Sequence, residues 1–424
     1  MAREYKAPRG TQDITPDEQP FWDLVWATAS RLCATFGYGR IETPIFEDAA
    51  LFTRGVGEVT DIVQKEMYVF QDRGGQALAL RPEGTAPVCR AYLERGMQNL
   101  QQPVRLWYWT PIFRYDRPQA GRYREHHQFG AEAIGDAGAV IDAEIIELLW
   151  RLYEELGLSG LTLNLNSIGD PQCRPAYLKA LREYYSDKLH HVCQDCRARV
   201  DRNPLRLLDC KQPQCQPVIA AAPPIAGYLC DECATHFADL RSYLETAGIP
   251  YVLSPRLVRG LDYYTRTVFE VQPPDEGAQS SVGGGGRYDG LIEQLGGRPT
   301  PGIGFGSGIE RMIINLKRQH VTAGEPPRPR VYIAVQTPAA RVPAYRLGSE
   351  LRRAGVAAIA AGGARSLKAQ LRHADALGAT YAVIIGDREL AEGTVTLKHL
   401  QNGTQSAVPL QDAVADIRED RVAG

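Results

Sequence analysis

Four glycines stand at every second position from 302 to 308, in the run Gly-Ile-Gly-Phe-Gly-Ser-Gly. Successive side chains of an extended chain point to opposite faces, so all four glycines share one face, with Ile303, Phe305 and Ser307 on the other. A strand face without side chains lets something planar lie flat against the sheet, or lets a neighbouring element come close. Ile309-Glu310-Arg311 follows at once and opens a helix, which puts Arg311 at the edge of that shelf. An adenine on Gly304 and Gly306 with its phosphates on Arg311 is the economical reading; a packing strand that needs close approach is the ordinary one. Neither a GxxxxGK[ST] loop nor a GxGxxG fingerprint with a ribose-binding acid is present, so the common nucleotide folds are excluded.

Two extended runs, Val104 to Arg114 and Arg122 to Ile134, flank Pro118-Gln-Ala-Gly121 and predict an antiparallel hairpin with a long loop. Its second strand would carry Arg124, His126, Gln128 and Glu132 on one face and Phe129, Ala131 and Ala133 on the other. The first face is a polar floor, satisfied either by mutual hydrogen bonds or by a bound substrate. Residues 114–124 hold four arginines against one aspartate, and residues 325–410 hold 11 Lys/Arg against 6 Asp/Glu. The formal net charge is −2, which excludes a globally basic nucleic-acid binder but leaves room for basic patches. On charge alone both excesses read as solvated faces.

The remaining elements follow from periodicity and punctuation. Residues 17–36 predict an amphipathic helix stopped by Gly37, residues 40–47 an extended piece around Pro44, and residues 76–81 a strand before a helix that starts near Glu83. A helix over 139–156, a strand over 161–165, strands at 256–259 and 267–272, and a strand–helix unit over 302–318 complete the first part. Residues 170–250 are helical, cysteine-bearing and interrupted by prolines, the texture of an insertion. Ser281-Val-Gly-Gly-Gly-Gly-Arg-Tyr-Asp289 has the composition of a flexible connector, although a linker does not ordinarily resume with Arg-Tyr-Asp. Gly324-Glu-Pro-Pro-Arg-Pro-Arg330 is a linker, beyond which β and α elements alternate as in a separate α/β domain. The division expected is 1–169 and 251–325 for a core, 170–250 for the insertion and 326–424 for the last domain. No apolar run reaches the roughly 20 residues of a membrane span, and residues 1–20 lack an apolar signal core, so a cytoplasmic location is expected.

Taken together these residues resemble the class II aminoacyl-tRNA synthetases. Pro111-Ile-Phe-Arg-Tyr-Asp116 with Gly121-Arg-Tyr-Arg-Glu125 is similar to motif 2, Gly302 to Arg311 to motif 3, and the segment around Pro44 to motif 1. Leu80-Arg-Pro-Glu-Gly-Thr85, Arg259-Gly-Leu-Asp-Tyr-Tyr264 and Val282 to Asp289 resemble the signatures of the histidyl-tRNA synthetase family. The resemblance covers residues 3–320 with the motifs in order, and the last domain has the size and element order of that family's anticodon-binding domain.

What the resemblance implies is an α+β fold: an antiparallel-sheet catalytic core flanked by helices, a helical insertion and a C-terminal α/β anticodon-binding domain. It implies activation of L-histidine by ATP with Mg2+, transfer to tRNA(His), and a homodimer formed through the motif 1 region. Glu83, Thr85 and Gln128 would hold the α-amino group, Glu132 and Tyr264 would face the imidazole, Gly84 and Tyr263 would belong to the same histidine site, and Arg259 would approach the carboxylate and α-phosphate. Arg114 and Arg311 would hold the phosphates with help from Arg122, and Arg114 would also border the histidine. Arg117 and Gln119 would meet the acceptor end of the tRNA. Asp116 stands where the family often has glutamate, which leaves its contact with adenine open. A regulatory paralogue that binds histidine without charging tRNA lacks the C-terminal domain and has degraded motifs; this chain keeps Arg114, Arg259, Arg311 and residues 331–424.

Nine cysteines without an export signal argue against disulfides, and six fall between 193 and 233. Cys193-x2-Cys196 and Cys230-x2-Cys233 have zinc-knuckle spacing and would close one tetrahedral site, with Cys210 and Cys215 between them; reduced, packed cysteines are the alternative. No metal ligand is assigned from sequence.

Overall fold

The computed structural model describes residues 4–57, 60, 62–116, 121–274, 281–361 and 365–420. Arg117 and Gln119 lie outside them. The chain divides into two compact units, Met1–Gly324 and Glu325–Gly424.

The strands of the first unit are β1 (Gly39–Arg40), β2 (Phe46–Asp48), β3 (Val69–Gln71), β4 (Ala77–Leu80), β5 (Val104–Phe113), β6 (Glu125–Ile134), β7 (Thr162–Ser167), β8 (Val252–Leu253), β9 (Thr265–Gln272), β10 (Gly283–Arg287) and β11 (Gly302–Gly308). Eight of them form one sheet in the order β1-β5-β6-β11-β10-β9-β7-β8, antiparallel except at the two edge pairs. β2, β4 and β3 form a small antiparallel sheet. Pairing of Val104 with Ile134 through Phe113 with Glu125 makes the expected hairpin.

Alternation then decides the layers. Trp107, Phe129, Ala131, Ala133, Ile303 and Phe305 point to one face, where helices Gln19–Thr35, Ala139–Glu155 and Ile309–Arg318 bury them. The first of these helices buries Trp22, Val25, Ala29, Leu32 and Cys33, the three- and four-residue spacing that presents one stripe to a sheet. The opposite face carries Leu106, Tyr108, Val268, Tyr264 and Tyr288 under helix Thr85–Glu94. The polar floor lies on that second face.

One expectation fails. Residues 256–259 form no strand; the extended pairing is at β8, which runs parallel to β7. Of the two readings left open for the glycine run 283–286, the flexible connector is the one set aside: the run is the interior strand β10, hydrogen-bonded on both sides. A Cβ on Gly285 would come within 1.9 Å of the Gly304 carbonyl oxygen, so the close approach of β10 and β11 requires glycine there. Residues 170–250 belong to the first unit, in which helix Asp231–Thr246 sends Leu240 and Leu244 into the core beside Leu148 and Leu152.

The second unit holds β12 (Val331–Val335), β13 (Ala358–Ala360), β14 (Tyr381–Ile385), β15 (Thr394–His399) and β16 (Gln405–Pro409), in the order β13-β12-β14-β15-β16. The first three are parallel, as the βα alternation predicts, and the last two close the sheet as an antiparallel hairpin. Among the described residues, no helix is long and apolar enough to cross a membrane.

Candidate active site

The glycine strand does something other than offer a bare shelf. A Cβ on Gly302 would lie 2.3 Å from the ring of Tyr288, on Gly304 1.7 Å from Glu132 Oε2, and on Gly306 1.4 Å from Gln128 Nε2. Each glycine is therefore a seat for one particular side chain from β6 or from the residue after β10. The expectation of adenine on Gly304 is corrected on this geometry, because the Glu132 carboxylate fills that position. Gly306 and Gly308, with Gly283 and Gly284 of β10, do border an open cavity of about 400 Å3.

Arg114, Arg122, Arg259, Arg311 and Lys211 line this cavity against the carboxylates of Asp116, Asp209 and Glu270. Each of the four arginines has a polar partner that orients it. Arg114 Nε donates to the Pro82 carbonyl at 2.7 Å, and Arg311 donates from Nε to Gly121 O at 2.9 Å and from a terminal nitrogen to Ser281 O at 2.7 Å. Arg259 pairs with Glu270 at 2.6 Å, and Arg122 reaches Asp116 at 3.5 Å. Burial, then Arg122 and Arg114, draw the Arg311 guanidinium below the usual arginine value. Burial opposes the charge on Arg259 too, but Glu270 beside it holds the guanidinium above that value. His126 is pushed down to about 3 by burial and then by Arg114 and Arg311, so it is neutral at pH 7. Cations forced together in this way are relieved by a polyanion.

Gln128 Oε1 and Arg259 Nε are buried without a hydrogen-bond partner, and both residues line the cavity. Buried polar atoms are ordinarily satisfied, and these two lie where a polar group placed in the cavity could satisfy them.

Deeper on the same face is a closed cluster around Glu132, which is fully buried. Thr85 and Tyr108 donate to its Oε1 at 2.8 and 3.2 Å, and Tyr288 donates to Oε2 at 2.7 Å. Burial lifts this carboxyl to about 8, against the pull of the three hydroxyls. Glu83 accepts from Thr85 N and Ala86 N at 2.7 and 2.8 Å, which satisfies the first turn of helix Thr85–Glu94. Burial raises Glu83 despite those donors. The Tyr263 hydroxyl lies 3.5 Å from Glu83, and the rings of Tyr263 and Tyr264 sit 4.7 Å apart. A Cβ on Gly84 would strike Tyr108 at 2.4 Å, so glycine there admits the tyrosine.

The residues singled out from sequence thus fall into two adjoining groups. Gln128, Arg114, Asp116, Arg122, Arg259 and Arg311 border the cavity, while Glu83, Thr85, Glu132, Tyr263 and Tyr264 lie in the buried cluster behind it. Arg124 joins neither; its guanidinium stacks 3.8 Å from the Tyr115 ring centroid. Sequence reasoning missed Tyr108, Tyr288, Glu270, Asp209 and Lys211. Tyr108 was findable, since it stands opposite Gly130 in the hairpin and fills that gap. Asp209 and Lys211 come from the insertion, and no local signal connects them to the sheet.

The cysteines are arranged otherwise than expected. Cys193 and Cys196 converge with Cys210 and Cys215, whereas Cys230 and Cys233 converge with Cys173 and Asp170. The two knuckle pairs therefore do not close one site.

Residues 10–312 match the histidyl-tRNA synthetase family and residues 330–420 the anticodon binding domain family. A histidine–tRNA ligase of Dehalococcoides mccartyi is 55% identical over 415 residues, 98% of this chain and 99% of that protein. One of Desulforamulus reducens is 48% identical over 411 residues, 97% of this chain and 98% of its own length. The crystal structure of apo S. aureus histidyl-tRNA synthetase superposes with a TM-score of 0.82 at 36% identity, covering 98% of this chain and all of that one. With its motifs, its sheet and 98% of its residues matched in this way, the chain belongs to the histidyl-tRNA synthetase family.

Proposed function

We propose that this chain is a histidine–tRNA ligase whose two adjoining groups divide the reaction between them, the buried cluster reading histidine and the cationic cavity holding ATP. The observation that carries the reading is the pair of unsatisfied buried atoms, Gln128 Oε1 and Arg259 Nε, at the boundary between the groups.

In this reading Glu83, Gly84, Thr85 and Gln128 surround the α-amino group, with Glu132, Tyr263 and Tyr264 toward the imidazole. Arg259 meets the carboxylate and the α-phosphate. Arg114 and Arg311 take the phosphates from opposite sides with Arg122, while Asp116 and the Gly306 edge border the base. The histidine carboxylate oxygen attacks the α-phosphorus of ATP in line, the bond to the bridging oxygen breaks, and pyrophosphate leaves. The terminal ribose hydroxyl of the tRNA then attacks the adenylate carbonyl, its proton passes to a phosphate oxygen of the adenylate, and the bond from the carbonyl carbon to that phosphate breaks to release AMP. No protein nucleophile is required; positioning and charge stabilisation by arginines supply the catalysis. Glu270 and Asp116 are oxygen donors of the kind Mg2+ accepts, and the ion entering with ATP would offset phosphate charge.

The core is read as 1–169 and 251–325 around the insertion 170–250, with residues 326–424 binding the anticodon arm. A homodimer through the motif 1 region is supported by Phe46, Val69 and Phe70, large apolar side chains exposed on the small sheet, and by the exposed Ile45 just before it. Arg117 and Gln119 remain assigned to the acceptor end from the motif 2 resemblance alone. The regulatory alternative fits poorly with the anticodon-binding match over 330–420.

The test is pyrophosphate–ATP exchange with each of the twenty amino acids and no tRNA. Histidine alone should support exchange. Exchange with no amino acid, or faster exchange with proline or threonine, rejects the reading.

A further inference from the structure

Residues 187–229 contain no strand and no helix longer than six residues; their elements are the short turns 189–191, 194–199, 205–208, 213–215, 216–220 and 225–228. A segment of this kind has little regular hydrogen bonding of its own and is held by side chains such as Val192, Leu207, Val218 and Ile225 in the core. Four thiols meet at its centre. The sulfurs of Cys193, Cys196, Cys210 and Cys215 all lie within 4.8 Å of one another, with Cys193 3.8 Å from Cys210 and Cys196 4.0 Å from Cys215. A tetrahedral zinc with Zn–S bonds of about 2.3 Å requires sulfurs about 3.8 Å apart. Backbone N–H groups also point at the thiols, from Cys193 to the Cys215 sulfur at 3.2 Å and from Cys196 to the Cys193 sulfur at 3.5 Å. Such donors stabilise thiolates around a metal.

We propose that Cys193, Cys196, Cys210 and Cys215 bind one zinc ion, and that the ion pins residues 203–211 against the active site. Cys210 stands between Asp209 and Lys211, both of which line the ATP cavity. The same segment sends Asn203 to Asp262 at 3.0 Å and Arg206 to the Arg259 carbonyl at 3.4 Å. The metal thus stands behind the loop that carries Arg259. The other group, Cys173, Cys230 and Cys233 with Asp170, is a poorer site. Asp170 already accepts from Gln172 N and Cys173 N and pairs with Arg266, so its oxygens are committed.

The full chain, supplied with zinc and passed through metal-free gel filtration, should retain about one zinc ion per chain by elemental analysis. Replacement by Co2+ should give the intense thiolate-to-metal charge-transfer bands and tetrahedral d–d bands of a four-sulfur site. Zinc should protect these four cysteines from iodoacetamide, read by peptide mass, and a chelator should remove that protection and open residues 187–229 to proteolysis. Cys196→Ser and Cys210→Ser should lose the ion and Cys173→Ser keep it. The spectrum and the protection use the unaltered chain, so they decide the matter even where a variant does not fold. No retained metal, a cobalt spectrum without charge transfer, or metal lost by Cys173→Ser but kept by Cys210→Ser overturns the proposal. None of these readouts depends on histidine activation, so the ligase reading stands or falls separately.

Discussion

At the scale of single residues the site is governed by what burial does to charge. Arg259 is held by Glu270, and its buried Nε has no hydrogen-bond partner. If the guanidinium acts on charge developing at the α-phosphate, Arg259→Ala should slow pyrophosphate exchange by roughly a hundredfold or more while raising the histidine Kd much less. Equal losses in both would make it a ground-state binder. Glu132 offers a test by pH. Burial lifts its carboxyl from 4.5 to about 8, so the folded chain keeps a proton that the unfolded chain has released between those values. The stability this group contributes is fully present below the lower value and is lost as pH rises through the upper one. Glu132→Gln cannot release that proton. Its urea midpoint relative to the parent should therefore rise from pH 5 to pH 8.5, and a difference that ignores pH would show that the three hydroxyls outweigh burial.

At the scale of elements, signature segments that look functional are also fasteners. Arg287, at the end of β10, is fully buried against the fully buried Asp142 of helix Ala139–Glu155, and it also donates to the Asp136 carbonyl and to Asp289 at 3.0 Å each. His236 Nε2 lies 2.8 Å from the same Asp142, tying in the last helix of the insertion. Asp142→Ala would leave the buried Arg287 with only the partly exposed Asp289 as a counter-ion. A loss of about 3–5 kcal/mol is expected from denaturant titration, well above the ordinary surface substitution. The neighbouring Tyr288 turns inward to Glu132, so one tripeptide, Arg287-Tyr288-Asp289, both locks the sheet to its helix and completes the buried cluster.

At the scale of the whole molecule, each of the two units has its own core. The first packs its helices on the eight-stranded sheet, and the second buries Val331, Ile333, Leu347, Leu351 and Val383 within itself. Separate cores mean that activation and tRNA recognition should separate by truncation. A chain ending at 325 should keep measurable histidine-dependent pyrophosphate exchange and lose most of its charging rate, scored by aminoacylation of tRNA(His). Comparable loss of both would place part of the activation site in the second unit.

Local pattern was enough for the hairpin, the helices over 19–35 and 139–155, the glycine strand and the change of texture after 324, because alternation and helical spacing are properties of neighbouring residues. Of the residues that border the cavity, Gln128 and Arg311 were legible from alternation, whereas Arg114, Asp116, Arg122 and Arg259 rested on the resemblance of their motifs to the family. Who meets whom was not legible. Glu132 is completed by Thr85 and Tyr288, 47 and 156 positions away, and the strand order that joins them appears in no window of sequence. Gly304 reads as a bare shelf until β6 is laid beside β11 and Glu132 occupies it. The cysteines mislead similarly, since spacing suggests that 193/196 would join 230/233, whereas the fold of the insertion brings in 210 and 215. Periodicity determines which face a side chain takes; only the packed chain decides what stands opposite, because those contacts depend on strand order and loop path rather than on neighbours in sequence.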